Sequence, residues 1–174
     1  MSLSMSASAI PAFEIGLSAL SAVLDKAAAH AQAKKIDPSV LLQTRLFPDM
    51  FPLVRQVQAA ADQAKNGTSR LAGVEPPRYE DNETTIDQLK DRLAKTVSYL
   101  KSIDRENIDE SADRDITFPL GPTNKGHMTG PDYLNLFALP NFYFHLTAAY
   151  AILRHCGVDL TKRDFFGAIP MKIT

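Results

Sequence analysis

Apolar residues return every three or four positions in four separate stretches of this 174-residue chain, and that rhythm constrains it to helices packed side by side. In the first stretch, Ile10 to Ala33, the stripe is Phe13, Leu17, Leu20, Leu24 and Ala28, with Glu14, Ser18, Ser21 and Asp25 mostly off it. Pro11 suits a first helical turn, where its missing N–H is no loss. Asp37-Pro38 reads as an N-cap followed by a first-turn proline, opening a short helix to about Arg45. Pro48 and Pro52 break the chain near Phe47 and restart it. The second stripe then runs through Phe51, Val54, Val57, Ala61 and Ala64 and ends at Asn66-Gly67, read as a left-handed C-cap. Residues 68–83 have no period and contain Pro76-Pro77, which predicts a loop.

Thr84 or Thr85 caps the third stretch, where Ile86, Leu89, Leu93, Val97 and Leu100 form the stripe and Lys90, Asp91, Arg92, Lys95 and Lys101 the wet side. The fourth opens at Pro131 behind a Thr129/Gly130 cap and runs to His155, with Gly157 as its stop. Pro140 lies inside it, which predicts a kink or a restart and a freed Leu136 carbonyl. Before it, Ile116-Thr117-Phe118 and the tract from Lys125 to Met128 flank Gly121-Pro122 and predict a hairpin. The tail from Asp159 carries Phe165-Phe166 and reads as a packed loop. The expectation is a mainly α fold over residues 1–174 as one domain: a four-helix bundle with a crossover connection and a small β-hairpin before the last helix.

Composition narrows the partners. Nineteen Lys and Arg against twenty Asp and Glu leave a net charge of -1, which argues against coating nucleic acid or a membrane surface. The single Cys excludes an internal disulfide and a multi-cysteine zinc site. Cys156 also sits at a helix C-terminus, the wrong end to stabilise a thiolate. Charges or prolines interrupt every apolar run of membrane length, and the N-terminus lacks the basic region of a signal peptide and places Glu14 in its apolar run. A soluble, cytoplasmic protein is expected.

The fourth stretch holds the candidate chemistry. Asn141 and His145 are four apart and share one helical face, the way bundle helices present metal ligands, although a histidine among Phe142, Phe144 and Leu146 is also how a core imidazole with one hydrogen bond reads. Arg45 and Asp49 are spaced to pair on a helix surface. His127 stands between Gly126 and Met128, near Asp132, where it is a candidate acid or base at a pocket mouth. No Gly-rich phosphate loop, nucleophile elbow or HExxH motif is present. Eight of the fourteen Phe and Tyr residues lie beyond position 132, and Phe142-Tyr143-Phe144 places three rings on three faces of one helix. A bundle cannot bury all three. The candidate covers are the tail, a second subunit in a homodimer and a small apolar ligand.

The stretch ALPNFYFHLTAAYAILRHCG, the helix order and the RLFPDMFPL turn resemble the DinB/YfiT-like superfamily of metal-dependent four-helix bundles, in a bacterial branch classed as a domain of unknown function. The resemblance covers nearly the whole chain. In that superfamily the last helix carries His-x-x-x-His and a Leu-Arg-x-x-Gly ending. Leu153, Arg154 and Gly157 match the ending, which places His145 on the second histidine and Asn141 on the first. The third ligand, a histidine on the second helix, has no counterpart between His30 and His127, and Asp49 is its replacement by position only. An amide is a weak ligand for zinc or nickel. The resemblance therefore implies a degenerate pocket of Asp49, Asn141 and His145, to which His127 is added by its own position near Asp132, with no cofactor, a divalent Zn or Ni ion being the alternative. Two functions follow: a non-catalytic dimer binding a small ligand or a partner, or a metal-assisted, thiol-linked transferase or hydrolase.

Overall fold

A computed structural model describes residues 4–171. Four long helices form the bundle: α1 (Met5–Lys34), α3 (Leu53–Leu71), α4 (Ile86–Ser102) and α7 (Leu139–His155), with the short α2 (Pro38–Gln43) between the first two. Around the bundle the order is α1, α4, α3, α7, so the links from α1 to α3 and from α4 to α7 each cross it and only α3 and α4 are neighbours in both sequence and space. The single crossover expected from the sequence is thus doubled.

α1 begins earlier than the apolar stripe suggests. Ser4 is its N-cap and accepts the Ala7 N–H at 3.2 Å, so Pro11 falls inside the helix instead of in its first turn. Ala7 and Pro11 are both exposed, and the carbonyl that the proline leaves unpaired faces water. α2 opens as expected, with Asp37 accepting the Ser39 N–H at 2.9 Å ahead of Pro38. α3 does not stop at Asn66-Gly67. It continues to Leu71 because Gly67 lies under the Phe13 ring of α1, where an added Cβ would sit 3.3 Å from Cζ. α4 starts from a capping box: Thr85 Oγ1 accepts the Gln88 N–H at 3.2 Å, and Gln88 Oε1 accepts the Thr85 N–H at 3.1 Å.

Between α4 and the last rod the chain forms α5 (Arg105–Asp109), a 3₁₀ turn (Glu110–Asp113) and an antiparallel hairpin of β1 (Asp115–Leu120) and β2 (Asn124–Thr129), paired Thr117 to His127 and Phe118 to Gly126. Ile116 and Phe118 point inward, and the Phe118 ring lies 4.3 Å from that of Phe137. The last rod starts with a three-residue turn, α6 (Gly130–Asp132), capped by Thr129, and then widens into a π-helical stretch, Tyr133–Ala138, before α7. That stretch is how the structure accommodates Pro140: the Leu139 N–H donates five residues back, to Leu134 O, and the rod passes the proline without the expected restart. The tail is not a plain loop. Thr161 and Asp164 cap the short α8 (Lys162–Phe166), whose Asp164 pairs with Lys26 of α1 at 2.7 Å.

α1 and the continuous rod Gly130–His155 are each long and apolar enough to cross a membrane, contrary to the expectation that charges and prolines interrupt every such run. Both pack in the bundle, which buries 50% of the apolar window of α1 and 39% of that of the rod. Phe142 fills a notch in α1 at Gly16 and meets Phe13 edge-on at 5.1 Å. Tyr143 and Phe144 remain 39% and 58% exposed, so the aromatic run splits as helical geometry requires.

Candidate functional site

His145 points into the bundle from α7. Its neighbours along the helix, Phe142, Leu146 and Ala149, carry the buried face, and the same face brings the imidazole against α3. There Nδ1 lies 2.8 Å from Gln56 Oε1, and the Gln56 amide nitrogen donates to the Phe51 carbonyl at 3.2 Å. The second bond orients the amide, so the first requires the imidazole proton on Nδ1. Nε2 takes no hydrogen bond among the described residues and keeps access to solvent. The Phe51 ring lies nearly parallel to the imidazole at 6.3 Å, and Phe144 meets it edge-on at 5.3 Å. Burial, and then the Arg55 guanidinium, hold the His145 pKa below its ordinary value of 6.5, which keeps the ring neutral.

The other candidates do not gather around it. Asp49 is exposed in the turn before α3, and Arg45 donates to the Pro48 and Met50 carbonyls at 3.5 and 3.4 Å instead of pairing with it. Asn141 is half-buried, and its amide is occupied with the Phe137 carbonyl at 2.8 Å. His127 stands on β2, exposed, with Nδ1 3.2 Å from both Asp115 Oδ2 and Thr117 Oγ1. The residue that faces His145 from the second long helix is Gln56. Its signal in the sequence is positional: it interrupts the buried stripe Leu53, Val57, Ala60, Ala64 with a polar group that must find a partner.

Arg92 corrects a second expectation. It belongs to the core side of α4, and its side chain is 2% exposed. Its guanidinium holds Asp62 at 2.9 Å, Asp81 at 3.0 Å and Glu83 at 3.0 Å, and it donates to the Glu80 carbonyl at 2.9 Å. These bonds strap the loop after α3 across α3 and α4. Tyr79 of that loop lies under the ammonium groups of Lys65 and Lys95, at 4.2 and 4.3 Å from the ring centre.

A family model described as a domain of unknown function, DUF1993, matches residues 5–166. The chain belongs to the DUF1993 family. Among solved structures, the DUF1993 chain is similar to a DinB family member protein from Shewanella denitrificans, at 41% identity and a TM-score of 0.87, over 95% of this chain and 93% of that one. Among curated proteins, none matches. The DinB-like bundle expected from the sequence is thus present, and the metal that this superfamily implies can be tested against the residues. They do not fit it: one neutral imidazole faces an amide, and no cluster of three His, Cys, Asp or Glu able to hold an ion occurs among the described residues.

Proposed function

We propose that this DUF1993 protein is a non-catalytic binding protein that works as a homodimer, with His145 serving as an internal pin between α3 and α7. The bond from His145 to Gln56 carries this reading, because it commits Nδ1 and the amide to each other and leaves no convergent set of reactive groups. Beside it, Leu46, Met50, Tyr143, Phe144 and Ala151 line a shallow, almost wholly apolar groove of about 420 Å³, and Phe47 and Phe51 stand 63% and 48% exposed on the same turn. Rings at this density on one face are the composition of a subunit contact, and the occupant that fits is a second copy.

Sedimentation of the purified chain across a concentration series tests the assembly. A dimer is expected, reduced to a monomer by Phe144→Glu or Phe47→Glu without loss of helical signal; a monomer at every concentration rejects it. The second reading is the metal-assisted, thiol-linked transferase or hydrolase, and the observation that favours it is the unoccupied Nε2 of His145. Elemental analysis with melting in chelator separates the two. One equivalent of zinc or nickel and a chelator-sensitive melt would replace the non-catalytic reading.

A further inference from the structure

Two arginines without carboxylate partners share one cleft at the far end of α3. Arg70 comes from the last turn of α3 and Arg114 from the segment that leads into β1, and the cleft between them, floored by Ile116 and Thr117, measures about 420 Å³. Neither makes a salt bridge among the described residues, which is also true of other cations such as Arg78 and Arg105; what sets this pair apart is that both are held by hydrogen bonds beside one cleft.

Each guanidinium is nevertheless anchored. Arg70 Nη1 donates to the hydroxyl of the fully buried Tyr133 at 3.0 Å. Arg114 Nη1 donates to the Leu71 carbonyl and, at 3.2 Å, to the Asn107 carbonyl. Gly73 makes room for it: the backbone turns there at φ +70°, and a Cβ would lie 3.1 Å from Arg114 Nη1. A guanidinium has five N–H donors, so one or two bonds at Nη1 hold each group in place and leave the other donors free. Two anchored forks with free donors, neither within ion-pair distance of a carboxylate among the described residues, match the oxygens of a carboxylate or a phosphate.

We infer that the cleft between Arg70 and Arg114 binds a small anion bearing one carboxylate or phosphate group. Glu75 and Asp115 also line it, which sets the size of the ligand charge. Two carboxylates beside two guanidiniums leave the lining close to neutral, which favours a ligand with a single acidic group over a polyanion. This site is separate from His145 and stands whether or not the protein is a dimer.

NMR of the full chain, read at the arginine side-chain N–H signals, tests this with inorganic phosphate and with acetate at constant ionic strength. Saturable shifts at Arg70 and Arg114 are expected. Saturation by phosphate alone identifies a phosphate ester as the ligand class, and saturation by acetate as well identifies a carboxylate. Arg70→Lys keeps a donor for the Tyr133 hydroxyl but loses the fork, and affinity is expected to fall about tenfold. Shifts that never saturate, or affinity unchanged in both Arg70→Lys and Arg114→Lys with the helical spectrum intact, would overturn the site. Should either variant misfold, the shifts in the unmodified chain decide alone: they must localise to these two side chains and spare Arg105 on the surface.

Discussion

At the scale of the residue, the burial of His145 makes the protein sensitive to mild acid. The folded-state pKa is depressed below 6.5, so as pH falls the unfolded chain takes up the proton first. Stability from this group is complete above 6.5 and is lost as pH drops from there to the lower folded value, beyond which it changes no further. Urea melts at pH 7.5 and 5.5 are expected to show that loss in the natural chain and not in His145→Leu. The carboxylates act in a separate window: Lys26 holds Asp164 down at about 2, and the Ser6 backbone N–H lowers Asp109, so the stability both contribute is complete above 3.8 and is lost only as pH falls below it. His145→Ala removes packing and leaves the Gln56 oxygen unpaired, and the expected cost in a denaturant melt is about 2–4 kcal/mol. Spacing put His145 on one helical face with Asn141, and the superfamily resemblance set it at the second histidine position. Neither could supply Gln56, because that contact spans 89 residues and its partner reads locally as one polar residue in an apolar stripe. Arg92 escaped for a related reason: a long charged side chain is assigned to water unless its counter-ions are known, and these come from a loop without periodicity and from another helix.

At the scale of the element, close approach decides the outcome of substitutions. A Cβ at Gly16 would lie 2.6 Å from Phe142 Cε1, so Gly16→Ala forces the ring from its notch. Alanine gains about 1 kcal/mol in helix propensity, but overpacking costs about 1–3 kcal/mol, and the net in a thermal melt is expected to be destabilising. Phe142→Leu in the same chain should remove the clash and make Gly16→Ala neutral or better. The strap is the second test. Arg92→Met removes the cation that Asp62, Asp81 and Glu83 share, leaving them to Lys65, Arg55 and the Gln58 amide, and a loss of about 3 kcal/mol is expected, with faster hydrogen exchange across residues 74–85. Slow exchange there in the variant would mean that the loop is held by something else. Helix starts were legible where a cap and a proline or glutamine stand together, as at Asp37-Pro38 and Thr85–Gln88. Helix ends were less so, because Asn66-Gly67 signals a stop locally and is overruled by the packing of Phe13.

At the scale of the molecule, the proposed dimer predicts a melting temperature that rises with protein concentration, since unfolding then also separates two chains. Phe144→Glu should abolish that dependence, and a melting temperature independent of concentration in the natural chain would count against the assembly. The mainly α bundle with its hairpin was readable from stripe spacing, yet the ring order α1, α4, α3, α7 was not, because amphipathic stripes state which face is buried and not against which neighbour. The wide turn in the last rod has a consequence of its own. Across it the buried side chains Leu134, Ala138 and Phe142 step by four, a spacing that would drift by about 40° per step on a regular α-helix. The turn therefore works as a phase shifter between the half of the rod that meets the hairpin and the half that meets α3. Deleting one residue from Tyr133–Ala138 would return the wide turn to regular α geometry, leaving the imidazole on its amide but taking away the slack by which the rod passes Pro140.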